Sequence, residues 1–557
     1  MRRAASANMT MSTTSTAHAR RVMPFIIRAL AKVNNHLGLV AALLAALALK
    51  LSLLLANALP FNSDEAVVAL MARHILRGER PLFFYGQAYM GSLDAYFVAG
   101  GFSLFGEHVW VVRAVQIALY LLTLSLVYLF VLRAFRSPRM AAIAALLMAL
   151  PSVNQTLYTT VSLGGYGEAL LIGTLTMALC LPPASGRVGP LRSLVLGLLV
   201  GIGLWVFPLS LTMSLPAIFT LVWFAKRTMR WRDLASCAGM GLVGAWLGMR
   251  PWVTSYTLFG QSAVTELFGG AIAGSGTATA WGAIGPRLAN LIVFGSTVVA
   301  GIRPPWAITW LFWPLAPIAI MFLLGTIAYG LVKLREKSEA APARWMVFGA
   351  ALLLCIAFVL TPFGGDPSGR YFLPLGVCLA IGGADMLEAL WQTRPRWAMA
   401  ALASVLVFNL GATIQCARAN PPGLTTQFDP VAQIDTRALP GLIAFLRAHG
   451  ETRGYTNYWV EYPLAFLSGE ELIYVARLPY HEDMRYTERD DRYAPYDDLV
   501  AASEHVAYIT TRHPALDARL REEFRQNGIT FQETVIGEYR VFWGLTEVVR
   551  PSQLGFE

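Results

Sequence analysis

Long apolar runs separated by short basic patches fill the first three quarters of the chain, and shorter alternating patterns replace them in the last quarter. A membrane helix needs about 20 mostly apolar residues. Runs of this kind lie at 37–58, 109–132, 139–154, 164–182, 192–207, 209–225, 234–251, 308–332, 344–362, 371–390 and 397–415. The third and fifth are short, as is a further apolar stretch at 288–302. Beyond residue 415 the periods are those of a small α/β domain. LPGLIAFLRAHG (439–450) predicts a helix closed by Gly450, and GYTNYWV and EELIYVA predict strands around a turn-helix. HVAYITT (505–511) and YRVFWGL (539–545) predict further strands, and ALDARLREEFRQNG (515–528) an amphipathic helix stopped by Gly528. The chain thus divides into a tail (1–36), a polytopic α-helical membrane domain (37–415) and a C-terminal α/β domain (416–557).

Composition supports this division. Of 557 residues, 56% are apolar and 14% charged, with mean hydropathy +0.52. An ordinary soluble domain is about 25% charged, so a soluble enzyme is excluded. The net charge of +10 suggests a polyanionic partner until it is located. Residues 416–557 carry 14 Arg, no Lys and 21 Asp or Glu, whereas residues 1–415 carry 30 Lys or Arg and 13 Asp or Glu. The basic part is the apolar part, the signature of positive cytoplasmic loops. No basic folded face for nucleic acid is visible.

Placing the N terminus in the cytoplasm, with 288–302 re-entrant or interfacial, puts the clusters 133–139, 187–192, 226–232, 333–344 and 394–396 on the cytoplasmic side of eleven spans. The C-terminal domain then lies outside the cytoplasm. The basic tail (Arg2, Arg3, Arg20, Arg21, Arg28, Lys32) precedes a retained first span, since 37–58 is too long for a signal peptide. The five Cys sit in or beside apolar stretches without metal-ligand spacing.

The first loop, 59–108, is long. Asn62 or Ser63 caps a helix reaching Arg77 and stopped by Gly78. Val67, Leu70, Met71 and Ile75 recur at helical spacing, which predicts a helix lying on the membrane surface. A second short amphipathic stretch follows at 92–105. Asp64 and Glu65 occupy the first turn. They complement the helix dipole, which is worth about 0.3–1 kcal/mol. Alternatively, roofed by a soluble domain, they face a polar cavity where a carboxylate accepts a proton from a hydroxyl.

Several segments resemble integral-membrane glycosyltransferases of the GT-C class. The similarity is to the bacterial, glycosyltransferase family 39-like branch related to protein O-mannosyltransferases and lipid A aminoarabinose transferases. They are Asp64-Glu65, the Gly78-Glu79-Arg80-Pro81 segment, YGQAYMGSLDAYFVA (85–99), GGYGEALL (164–171), GGDPSGRYFLPL (364–375) and YTNYWVEYPLAFLSGEE (455–471). The resemblance implies a GT-C-like fold in a bacterial cytoplasmic membrane. It also implies a polyprenyl-phosphate-linked sugar donor and transfer to a glycan, lipid or protein acceptor on the extracytoplasmic side, typically with inversion. By match Asp64 is the base toward the acceptor hydroxyl. Glu65 orients the site or helps bind a divalent cation, with Asp64 and Glu168 as its other candidate ligands. No nucleotide site is needed, because the lipid phosphate is the leaving group.

Other residues carry two readings each. Arg370, followed by Tyr371, holds a lipid-linked phosphate or snorkels to the interface. Asp366 beside it is a turn residue or part of the same site. Lys50, deep in the first span, binds donor phosphate or pairs with Glu168. Glu168 and Asp94 line the cavity or are structural, and His74 is a packing residue or a metal ligand. Tyr85, Tyr89 and Tyr96 stack on sugar or are interfacial aromatics. Tyr458, Trp459 and Glu461 contact acceptor or serve the domain core. Rival functions are a transporter or flippase of lipid-linked sugars, and a catalytically inactive relative in envelope glycan assembly.

Overall fold

The computed structural model describes residues 36–183, 187–259, 282–366 and 368–556. Residues 1–35, nearly all of the basic tail, lie outside the described residues. Eighteen elements build the membrane domain. They are α1 (His36–Leu55), α2 (Ser63–Leu76), strands β1 (Phe83–Phe84) and β2 (Gln87–Gly91), α3 (Leu93–Phe105), α4 (Val109–Phe135), α5 (Pro138–Ala149), α6 (Val153–Tyr158), α7 (Tyr166–Cys180), α8 (Pro190–Val206), α9 (Leu211–Ala225), α10 (Trp231–Gly248), α11 (Arg250–Phe259), α12 (Ile284–Val299), α13 (Ala316–Lys333), α14 (Ala341–Leu360), α15 (Leu373–Thr393) and α16 (Pro395–Arg418).

Each of the eleven expected spans is helical, and among the described residues seven helices are long and apolar enough to cross a membrane. The third, fourth and fifth expected spans form shorter helices, the third the shortest. α5 has 12 residues, about 18 Å at 1.5 Å per residue, and ends before Leu150 and Pro151; α6 restarts at Val153. The stretch expected to be re-entrant or interfacial forms the end of α12. Asn290 donates to the Gly364 carbonyl near one end of this helix, and Val298 packs on Gly369 near the other.

Ion pairs tie the helix ends opposite Asp64: Arg136 to Glu339, Arg139 to Glu388 and Arg344 to Asp385. The backbones of α8 and α10 meet directly. A Cβ on Gly197 or Gly201 would strike the carbonyl of Gly241 or Ala245, and one on Gly244 or Gly248 that of Leu194 or Leu198. Small residues at four-residue spacing allow such an approach, and dispersion at short range rewards it in lipid.

The C-terminal domain comprises α17 (Leu439–His449), β3 (Arg453–Thr456), α18 (Tyr458–Leu467), β4 (Ile473–Ala476), α19 (Pro495–Ala501), β5 (Ala507–Thr511), α20 (Pro514–Gln526), β6 (Gln532–Ile536) and β7 (Tyr539–Trp543). Its sheet order is β4-β3-β5-β7-β6, with β3 parallel to β4 and β5, and β7 antiparallel to β5 and β6. Side chains alternate across the sheet. Tyr474, Ile509 and Val541 pack with Leu442, Leu446 and Leu464 of α17 and α18, while Tyr508 and Phe542 face Phe524 of α20. Gly450 and Gly528 end their helices with φ of 71° and 72°. The expected strand GYTNYWV stops at Thr456. Asn457 then accepts from the Trp459 N–H and caps α18, so Tyr458 and Trp459 are helical.

The first loop departs further from expectation. α2 does not lie on an open surface. Twelve of its 14 residues are buried, because it packs between α3 and α18.

Gly201→Leu should wedge α8 from α10 and lower the thermal midpoint of the purified protein by several degrees. Gly239→Leu, on the open side of α10 with nothing within 4 Å of its Cβ position, should leave the midpoint unchanged.

Candidate active site

The site begins with the cap of α2. The Asn62 side chain accepts from the Glu65 N–H at 3.0 Å and fixes the first turn. Glu65 is 0% exposed and holds Arg113 of α4 with both oxygens, Oε1 to Nε at 3.0 Å and Oε2 to Nη2 at 2.8 Å. Arg113 also donates to the Leu59 carbonyl. Glu65 is therefore an anchoring carboxylate, committed to a cation, rather than a group presented to substrate or a metal.

Asp64 faces the C-terminal domain. Its Oδ1 accepts from the Tyr458 hydroxyl at 2.5 Å and lies 3.3 Å from Nη2 of Arg492. Ser63 donates to the Tyr458 carbonyl, joining the same turn to the start of α18. The Arg492 side chain is 7% exposed. Its guanidinium lies over the rings of Tyr458 (4.6 Å) and Phe84 (5.5 Å), and its stem rests on Gly86, whose φ of 69° and missing Cβ leave the room. Nε and Nη1 of Arg492 meet no acceptor. Burial works against the charge on this guanidinium, but Tyr458 and Asp64 hold its pKa above the usual arginine value. Burial likewise pushes the carboxyl of nearby Asp490 up to about 6.

Arg370 follows Gly369, which takes φ 82°. Its Nε and Nη2 reach Asp366 Oδ2 at 2.9 and 2.6 Å. Below it Tyr371 joins an aromatic wall: Phe363 lies 5.0 Å from its ring, Tyr166 6.3 Å and Phe207 6.4 Å, and Tyr89 stands 5.7 Å from Phe363. The Tyr371 hydroxyl has no partner. Two tyrosines join the halves of the site. Burial pushes the Tyr89 hydroxyl pKa up, against the charges of Arg370, Arg489 and Arg492. Burial does the same at Tyr158, where the charges of Arg370, Asp366 and Asp64 all act. Asp64, Arg370 and Arg492 thus surround one polar region at the base of the C-terminal domain.

Other expected residues fall elsewhere. Lys50 is 2% exposed and gives its three protons to the Thr159 carbonyl (2.7 Å), Thr159 Oγ1 (2.8 Å) and Thr160 Oγ1 (2.9 Å). It is neither paired with Glu168 nor left for a phosphate. Asp94 is buried, accepting from Gln116 at 2.7 Å and from Ser162, with Glu168 buried beside it. Glu461 turns into the C-terminal domain and accepts from the Ala476 N–H at 2.8 Å, because β4 passes under α18. Its side chain serves the domain rather than an acceptor. Asp64, Glu65 and Glu168 do not converge as a metal set, and among the described residues no group of three or more His, Cys, Asp or Glu is placed to hold a metal ion.

His74, Tyr85 and Glu79 belong to a clamp between α2 and the C-terminal domain. Glu470 takes His74 Nε2 at 2.8 Å, Arg77 at 2.6 Å and Arg73 at 3.3 Å, while Tyr85 and Tyr493 donate to Glu79. The sequence reading missed Arg492 and Arg489 entirely. Their signal was the charged segment TERDDRY (487–493) in a loop, without a motif to mark it.

Residues 92–252 match the dolichyl-phosphate-mannose-protein mannosyltransferase family. ArnT from Cupriavidus metallidurans, solved bound to undecaprenyl phosphate, is 13% identical, with TM-score 0.57 over 90% of this chain and 97% of that one. The two share a fold. It is the GT-C-like fold expected from the sequence. AglB from Archaeoglobus fulgidus, solved with an inhibitory peptide and a dolichol-phosphate, is 12% identical with TM-score 0.48, over 93% of this chain and 74% of that one. No curated protein sequence matches the chain.

Two outcomes follow from the site's electrostatics. Arg113→Ala strands the Glu65 charge in the interior and should cost about 3–5 kcal/mol; the thermal midpoint should fall, and Arg113→Leu with Glu65→Leu should recover most of the loss. At Glu470 burial opposes the charge, but the His74 hydrogen bond and the His74 and Arg77 charges hold the carboxyl down to about 2. A depressed carboxyl stabilises the clamp above its unfolded value near 4.3. That contribution fades as pH falls through about 2. The midpoint difference between the protein and Glu470→Gln should be constant above pH ~5 and close below it.

Proposed function

We propose that the protein is a glycosyltransferase that moves a monosaccharide from a polyprenyl-phosphate donor to an acceptor hydroxyl on the extracytoplasmic side of a bacterial cytoplasmic membrane. The observation that carries the reading is that a carboxylate, Asp64, and a cation, Arg370, both act on the buried Tyr158 at one end of the helices. The family match over 92–252 and the fold shared with ArnT point the same way.

Asp64 accepts the proton of the acceptor hydroxyl as its oxygen attacks the anomeric carbon. The bond from that carbon to the phosphate oxygen breaks, and its electron pair passes to the phosphate. Arg370 answers the charge gathering there. A groove of about 320 Å³ suits the isoprenoid tail. Leu323 and Ile327 of α13, Val347 and Leu352 of α14, and Leu375 and Leu379 of α15 line it, and Leu375 lies five residues after Arg370. Basic loops at the opposite helix ends favour a cytoplasmic N terminus and an external C-terminal domain.

The test is transfer in proteoliposomes, read as polyprenyl phosphate released from a polyprenyl-phosphate sugar. Asp64→Asn should lower the rate by about 10²–10⁴-fold, and wild-type turnover by this variant would refute the assignment. Arg370→Ala should raise donor KM, whereas an unchanged value would remove Arg370 from the phosphate site.

A further inference from the structure

The C-terminal domain brings a guanidinium to the membrane domain that the proposed chemistry above does not use. Arg492 spends Nη2 on Asp64, and its backbone N–H on Tyr462. Nε and Nη1, on a side chain more than nine-tenths buried, meet no acceptor. Buried N–H groups of this kind are rare, because removing them from water is costly unless something accepts them. Nε and Nη1 lie on different edges of the guanidinium, and Nη1 shares its edge with Nη2, so an oxyanion oxygen beside Asp64 can accept from Nη1. Three guanidiniums, those of Arg370, Arg489 and Arg492, act on Tyr89. Asp366 is engaged by Arg370 and Asp64 by Nη2 of Arg492, and Asp490, though its charge acts on Arg492, accepts from neither Nε nor Nη1. The first loop is shaped to admit this side chain: Gly86 lies under its stem, and Phe84 and Tyr458 bracket its plane.

We propose that Arg492 donates from Nη1 to the leaving phosphate of the donor while Nη2 stays on Asp64, bridging base and leaving group across the reacting bond. The inference rests on the polyprenyl-phosphate reading above. As the sugar departs, the phosphate changes from a diester with one negative charge to a monoester with up to two. A donor already in place there favours the charge that develops. The proton passes from acceptor to Asp64, and Arg492 stays protonated throughout. The C-terminal domain then supplies a residue that touches the substrate, and not only a roof.

The test measures binding of undecaprenyl phosphate and of undecaprenol, which lacks the phosphate, to the full-length protein in nanodiscs. The unaltered protein should prefer the phosphate lipid. Arg492→Gln should weaken undecaprenyl phosphate binding about tenfold or more and leave undecaprenol binding unchanged. Arg492→Lys, which keeps the charge without the Nη1/Nη2 edge, should fall between and guards against a folding defect. Asp64→Asn should keep its affinity for undecaprenyl phosphate. Unchanged phosphate affinity in Arg492→Gln overturns the inference alone. An equal loss in Asp64→Asn also overturns it, because the pair would then be only a structural prop. If the unaltered protein does not distinguish the two lipids, the polyprenyl-phosphate reading fails and this inference with it.

Discussion

The Glu65–Arg113 pair is the contact from which the site takes its geometry. Successive residues on a helix point about 100° apart, so a helix that buries one carboxylate in a two-pronged ion pair aims its neighbour elsewhere. Glu65 is pinned to α4 by both oxygens, and the same turn is capped by Asn62. Asp64 is thereby turned toward α18, where Tyr458 and Arg492 meet it. A charge buried as fully as Glu65 is tolerated only with such a partner. The two acids of one dipeptide therefore part ways, one holding α4 and the other facing the C-terminal domain.

The surroundings strengthen whatever charges gather there. Tyr89, Tyr166, Phe207, Phe363 and Tyr371 form an apolar wall against Arg370. Charges interact more strongly where water is scarce. At the opposite helix ends the pairs of Arg136, Arg139 and Arg344 tie helix ends together, with single rings, Trp391 under Arg139 and Phe135 under Arg344, beside them. Similar ion pairs thus serve as fasteners at one end and as a preorganised field at the other.

What the sequence disclosed follows its local periods. Hydropathy marked the eleven helices, glycines marked the ends of α17 and α20, and the first-turn position marked Asp64. What it hid depended on partners far along the chain. Lys50 reads as an unmatched charge until Thr159 and Thr160 fold beside it. The apolar stripe of α2 promised one buried face, yet Arg73 and His74 are buried too, because Glu470 arrives to receive them. β6 went unread because its side chains stay half exposed at the sheet edge. Arg492 lies in a loop whose charges show no period, and only the packing on Gly86 singles it out.

The bond between Tyr458 and Asp64 joins residues 394 positions apart. Asp64 leaves the ribosome early, with the first loop, and waits through ten further apolar helices for its partners. Contacts of such range close last, after the loop entropy between them has been overcome. A chain halted between α16 and α18 holds the carboxylate and the membrane helices but neither the hydroxyl nor the guanidinium that flank Asp64. Nascent and truncated forms are in this sense silent. Completion of the polypeptide is therefore the step that assembles the surroundings of Asp64.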